Sequence, residues 1–341
     1  MVRNRRSYKT QFIILIAAFI VVFLGSIVIG RYSISLDDFF KIIFSKLPFT
    51  DIPVTWDLSA EKVLFEIRLP RIICAIFIGA ALSLAGVCYQ GMFRNPMVSP
   101  DILGASTGAG FGAAIAILLG AGYFLISASA FVFGIAAVAL AYVVSRFGKT
   151  NATLAMILGG MVVSSLFSAG TSFIKLVADT EEQLPAITYW LMGMLSSIKV
   201  KDLVVLIPIV AGMIPLFILS WRLNLLTVEE NTSKSVGINI TALRLIVIVC
   251  ATLLTAASVS VSGMIGWIGL VIPHFCRIIF GYDYRRLVPA TVLFGATFLL
   301  FVDDIARNVS TSEIPLGILT SFVGAPLFLY LLFTGGGKKN A

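Results

Sequence analysis

The chain has 341 residues, of which 59% are hydrophobic and only 12% charged, with a formal net charge of +8. Its mean hydropathy is +1.02. Soluble domains carry about a quarter of their residues as charges, so this composition excludes a soluble enzyme or a soluble nucleic-acid-binding domain and points to a protein whose solvent is largely lipid. Apolar runs near the roughly 20 residues that cross a bilayer recur along the whole length. In chain order they predict spans at 11–30, 71–91, 102–120, 123–145, 152–174, 203–221, 243–262, 266–280, 287–303 and 314–333.

The first of these is expected to be a retained anchor, because "LGSIVIGRYS" offers a poor cleavage site. An outer segment, about 31–67, follows and contains the amphipathic "SLDDFFKIIF". The third span opens in "RNPMVSPDILGASTGAGFGAA", where Ser99, Pro100 and Asp101 occupy the N-cap, first and first-turn positions of a predicted helix. Gly104, Gly108 and Gly112 then recur every four residues beside Ala105, Ala109 and Ala113. Such a stripe lets helix backbones approach closely in lipid. A phosphate-binding loop would need Lys and then Ser or Thr after its last glycine; Phe111 and an apolar run stand there, and GxxxxGK[ST] occurs nowhere.

The eighth span, "GWIGLVIPHFCRIIF", is short enough for a re-entrant helix. Within it His274, the single histidine, stands beside Pro273 and is expected to hydrogen-bond at the helix break. Cys74, Cys88, Cys250 and Cys276 lie in or at the ends of apolar runs without paired spacing and are read as core filler. The residues suggest no metal, cofactor-binding or catalytic site.

Charge placement sets the orientation. With ten spans both termini share a side, and "MVRNRRSYK" makes it the cytoplasmic one. With Arg71, Arg244, Arg277 and Asp303, at the ends of spans, counted to the nearer side, the inner side holds 15 Lys/Arg and 4 Asp/Glu against 10 and 13 on the outer one, a split of +11 and −3 that accounts for the net +8. The basic balance thus reports topology and contact with anionic lipid, with no nucleic-acid partner. Ion-coupled carriers bury titratable groups in mid-span, whereas these span centres are nearly free of charge. Asp303, Asp304 and Arg307 cluster at the outer end of the ninth span, and Lys175 at that of the fifth. A secondary carrier and a purely structural scaffold are the rival classes.

Six blocks carry a resemblance: "RLPR" at 68–71, "GMFRNPMVSPDILGASTGAG" at 91–110, "SGMIGWIGLVIPHFCR" at 262–277, "GYDYRRLVP" at 281–289, "DDIAR" at 303–307 and "EIPLGILTSFVGAPLFLYLL" at 313–332. In order and spacing they resemble the permease subunits of the iron-siderophore, haem and cobalamin ABC importers. The resemblance implies an all-α polytopic membrane protein of about ten transmembrane helices with the BtuC-like permease fold, a single permease domain over 1–341 in the cell membrane. It further implies a second permease copy or related permease, cytoplasmic ATPase subunits that hold the ATP and Mg, and an external substrate-binding protein. No cofactor and no covalent chemistry are expected on this chain.

The resemblance also assigns residues. Arg68, Arg71 and Arg307 match the outer arginines that pair with glutamates of the binding protein; their alternative is to satisfy local acids such as Glu66 or Asp304. The inner loop at about 222–242 matches the coupling segment on the ATPase through Glu229, Glu230 and Gly237, although Val228 stands where Gly is common. Thr150, Asn151 and Thr153 match the inner gate, and the small-residue run Gly159, Gly160, Ser164, Ser165, Ser168 and Gly170 the pathway wall, with ordinary helix packing the rival for each. An iron chelate is the expected cargo, with haem, cobalamin or molybdate as alternatives.

Overall fold

The structure, a computed structural model, describes residues 7–47, 53–148, 151–227 and 239–335. Every regular element among them is helical. They are α1 (Tyr8–Val28), α2 (Leu36–Ser45), α3 (Leu58–Met92), α4 (Ala105–Leu118), α5 (Tyr123–Arg146), α6 (Ala152–Val177), α7 (Gln183–Met192), α8 (Val200–Ile218), α9 (Ser220–Leu226), α10 (Ile240–Ser262), α11 (Ile268–Phe280), α12 (Tyr284–Asn308) and α13 (Leu316–Gly335). Seven of these, α1, α3, α5, α6, α8, α10 and α12, are long and apolar enough to cross a membrane; α4 and α11 are shorter apolar helices, and α13 is apolar over Leu316–Tyr330. Each predicted span therefore carries a helix, with α4 and α11 below full crossing length.

Burial separates the centre from the rim. The most apolar stretches of α3 and α10 are 83% and 78% buried, against 17% for α1 and 28% for α5, α6 and α8. Small residues set the contacts at the centre. A Cβ on Gly79 would lie 2.7 Å from Leu299 Cβ and strike the Gly295 carbonyl, and one on Gly86 would strike that of Gly269. These positions seat α3 on α12 and on α11 backbone to backbone, as association in lipid requires. The hydroxyls of Thr252, Thr255 and Ser262 in α10 donate to carbonyls four residues back at 2.6, 2.8 and 2.8 Å, so these three are buried with their hydrogen bonds satisfied.

Two elements depart from the sequence reading. α3 begins well before residue 71: Asp57 caps it by accepting from the Ser59 N–H at 2.9 Å, and Val63–Arg68 forms a π-helical turn ahead of Pro70. That wider register absorbs the hydrogen bond and the space that a proline removes, so the helix continues through it. The predicted helix start at Ser99 is instead a 3-10 turn, Pro100–Leu103, followed by Gly104 at φ 87°, and the Ser99 side chain makes no capping bond. The Asp101 carboxylate accepts from the Ser106 hydroxyl, which secures the start of α4 beyond the break. Gly108 and Gly112 do face α5, where a Cβ would lie 2.5 Å from Ala137 Cβ and 2.6 Å from Ser129 O. Gly104 belongs to the stripe in sequence only and serves the turn.

Candidate functional site: the two ends of the helix core

At the end assigned as outer by charge, α3 and α12 bring arginines and carboxylates together. Arg71 donates Nε and Nη2 to Asp303 at 2.9 and 2.8 Å, and Nη1 and Nη2 to Glu313 at 2.9 Å each. Arg307 donates to Ser26 O at 2.9 Å and Ser26 Oγ at 2.7 Å, and pairs with Asp304. Arg68 donates to the carbonyls of Ile27 and Tyr32. All three arginines are buried, and Asp303 has no exposed surface. Arg71 and Arg307 thus meet the carboxylates of Asp303, Asp304 and Glu313, which offsets a costly set of buried charges, while Arg68 beside them is held by backbone carbonyls. Glu66 is exposed and takes no part. Glu313 keeps 26% of its side chain exposed, which makes it the partner of Arg71 most open to exchange.

Near the opposite end, Gln90 occupies the place expected of His274. Pro273 supplies no N–H, which frees a carbonyl one turn earlier in α11. Gln90 Nε2 reaches Gly269 O and Leu270 O, each at 3.3 Å, and Val98 O at 3.1 Å, while its Oε1 accepts from Arg277. His274 is half-buried and makes no hydrogen bond among the described residues. A polar residue near the end of a long apolar run, five positions before the "NP" at Asn95, was the available signal for Gln90.

The gate and pathway residues separate by face. Asn151 caps α6 by accepting from the Thr153 N–H at 2.9 Å; Thr150 lies outside the described residues, as do Glu229, Glu230 and Gly237. Gly159 and Gly160 turn inward: a Cβ on Gly159 would lie 2.9 Å from Ala141 O, and one on Gly160 would strike Ile102 O. Ser164 is half-buried beside Gly104. The opposite face of α6, with Leu154, Leu158, Met161, Ser165, Ser168 and Ser172, is exposed. A cavity of about 630 Å³ opens between α7, the 263–267 segment and α13, lined by Met192, Met264, Gly317 and Ser321 among others. No group of three or more His, Cys, Asp or Glu able to hold a metal occurs among the described residues. The four cysteines are buried free thiols.

Residues 18–334 match the model of the FecCD transport family. The chain belongs to that family. It is thus a multi-pass membrane permease of the ABC importer class. Such subunits are not themselves enzymes. It is 41% identical over 315 residues to the molybdate import system permease protein MolB of Haemophilus influenzae, covering 91% of this chain and 92% of that protein. It is 43% identical over 280 residues to a probable iron chelatin transport system permease protein of Helicobacter pylori, covering 82% and 85%. A solved structure described as an inward-facing conformation of an ABC transporter of metal-chelate type superposes with a TM-score of 0.85 at 39% identity, covering 96% of this chain and 99% of that one. Membership of the FecCD family gives no support to the ion-coupled carrier.

Proposed function

We propose that this FecCD permease carries a metal chelate, with iron as the metal, from an external binding protein to the cytoplasm, working as a pair of permeases on two separate ATPase subunits with both termini cytoplasmic. The likeness to the solved metal-chelate transporter over 96% of the chain carries this reading. The 41% identity to a molybdate permease favours molybdate as the second cargo. ATP and Mg belong to the ATPase, and this chain supplies the path and the movement.

On the outer face Arg68, Arg71 and Arg307 form the docking centre. Because they are buried and already paired, docking is an exchange: a carboxylate of the binding protein takes the place of Glu313 on Arg71 while Asp303 stays. Charge pairs of this kind steer and orient a partner more than they add affinity. Glu313→Gln is expected to tighten binding-protein docking by weakening the internal competitor; unchanged or weaker docking, measured on purified components, counts against the exchange. The exposed face of α6 forms the wall of the path, gated by Thr150, Asn151 and Thr153 at the inner end, with Gly159, Gly160 and Ser164 holding that helix in place. A weakly polar wall lets a bulky chelate leave as readily as it enters. Glu229, Glu230 and Gly237 contact the ATPase.

The deciding experiment is uptake by proteoliposomes containing the permease with its ATPase and binding protein, using a radiolabelled ferric chelate and labelled molybdate in parallel. ATP-dependent accumulation of the ferric chelate is expected. Accumulation of molybdate alone selects the second cargo, and accumulation of either without ATP sinks the importer mechanism.

A further inference from the structure

Helix α9 is the last described element before residues 228–238, and its two sides are held by different parts of the core. Asn224 reaches α12: its Oδ1 accepts from the Tyr284 N–H at 3.0 Å and its Nδ2 donates to Asp283 Oδ1 at 3.1 Å. The same Nδ2 also donates to Trp221 O at 3.1 Å, within α9. Asp283 caps α12 by accepting from the Arg285 N–H at 3.1 Å. The first N–H groups of a helix have no partner within it; here one is served by the helix's own cap and its neighbour by a side chain from another helix. On the other side Arg94, left-handed at φ 52°, donates Nε to the Leu226 carbonyl at 2.9 Å. Leu223 and Leu226 are buried. Tyr284 extends the bracket into the core. Its buried hydroxyl donates to Val87 O of α3 at 3.2 Å, and a Cβ on Gly91 would strike that hydroxyl.

From this geometry we infer that Asn224 is a positioning residue for energy coupling, locking α9 to α12 and α3 so that a push on residues 228–238 reaches the helix core as one rigid movement. The inference rests on the ATPase contact proposed above for that segment. Two-sided attachment is what transmission requires: a helix held only by its own backbone would swing on the chain at Leu219, whereas α9 is fixed to both the start of α12 and the loop after α3. Rigid elements of this kind carry small displacements over long distances.

The test uses the complete transporter in proteoliposomes, with ATP hydrolysis and ferric-chelate uptake measured on the same preparation. Asn224→Ala is expected to assemble with the ATPase, hydrolyse ATP within about twofold of the native rate and lose about tenfold in cargo moved per ATP, the upper end of the effect of losing a half-buried hydrogen-bond pair. Asn224→Asp sets two carboxylates face to face and is expected to uncouple similarly. Combining Asn224→Asp with Asp283→Asn restores one donor–acceptor bond between the two side chains with its direction reversed, keeps the acceptors for the Tyr284 and Arg285 N–H groups and gives up only the donor to Trp221 O. It is expected to recover most of the cargo per ATP lost in Asn224→Asp, because contacting residues compensate non-additively. Unchanged cargo per ATP in Asn224→Ala overturns the inference, as does a double variant as uncoupled as Asn224→Asp. Should Asn224→Ala fail to assemble, the double variant alone decides. A native chain that does not co-purify with an ATPase defeats the proposed function itself, a result distinct from any ranking of the variants.

Discussion

Asp303 is fully buried, and the guanidinium of Arg71 is its nearest source of compensating charge. Removing one partner of a buried pair leaves the other charge without water or counter-ion, which costs roughly 3–5 kcal/mol. Arg71→Ala is therefore expected to lower the unfolding temperature of the purified protein sharply, while Glu313→Gln, at the partly exposed side of the same cluster, leaves it nearly unchanged. A thermal shift of equal size in both would refute the division of labour. Gln90 gives a second contrast. Gln90→Leu strips partners from the Gly269 and Leu270 carbonyls and from Arg277, at a cost of about 1–3 kcal/mol, whereas His274→Phe removes no hydrogen bond. Chemical unfolding in detergent distinguishes them, and a larger loss from His274→Phe would contradict the assignment of the break to Gln90.

At the scale of elements, α6 presents two faces with opposite demands. Gly160 meets the backbone of the Pro100–Leu103 turn, so Gly160→Leu is expected to abolish folding or expression through overpacking worth about 1–3 kcal/mol or more. Ser165 stands on the exposed face, so Ser165→Trp is expected to leave the protein stable and ATPase assembly intact while blocking uptake. If Ser165→Trp transports normally, the exposed face is not the path. The sequence reading placed both residues in one small-residue run. It lacked the rotational phase of α6, which depends on what packs beside it. The same limit applies to the α4 stripe: Gly104, Gly108 and Gly112 look equivalent by spacing, yet one serves a left-handed turn and two serve packing.

For the whole molecule, topology is the prediction open to the most direct check. The four native cysteines are buried, so a single introduced thiol reports without background. Ser196 and Tyr282 are both exposed; in the proposed orientation Ser196→Cys is expected to react with a membrane-impermeant maleimide in intact cells, and Tyr282→Cys only after permeabilisation. The reverse pattern would invert the orientation and move the docking cluster to the wrong side.

The ten apolar stretches, the charge asymmetry across them and the blocks shared with the FecCD family were legible in the sequence, because bilayer thickness, the lipid-facing composition and the charge of loops are local properties of the chain. Which helices form the centre was not legible. α3 and α5 have the same window hydropathy, 2.3, yet 83% of one and 28% of the other is buried. Lipid is as apolar as a protein core, so hydrophobicity cannot rank helices for burial. That choice fell to the glycines that seat α3 on α12 and α11. Likewise the sequence named Arg68, Arg71 and Arg307, but only the tertiary structure brought Arg71 and Arg307 to Asp303, Asp304 and Glu313, set Arg68 against the Ile27 and Tyr32 carbonyls, and buried all three. The pairing of Arg71 with Asp303 spans 232 residues, and no pattern along the chain encodes a contact that exists only once α3 and α12 have packed.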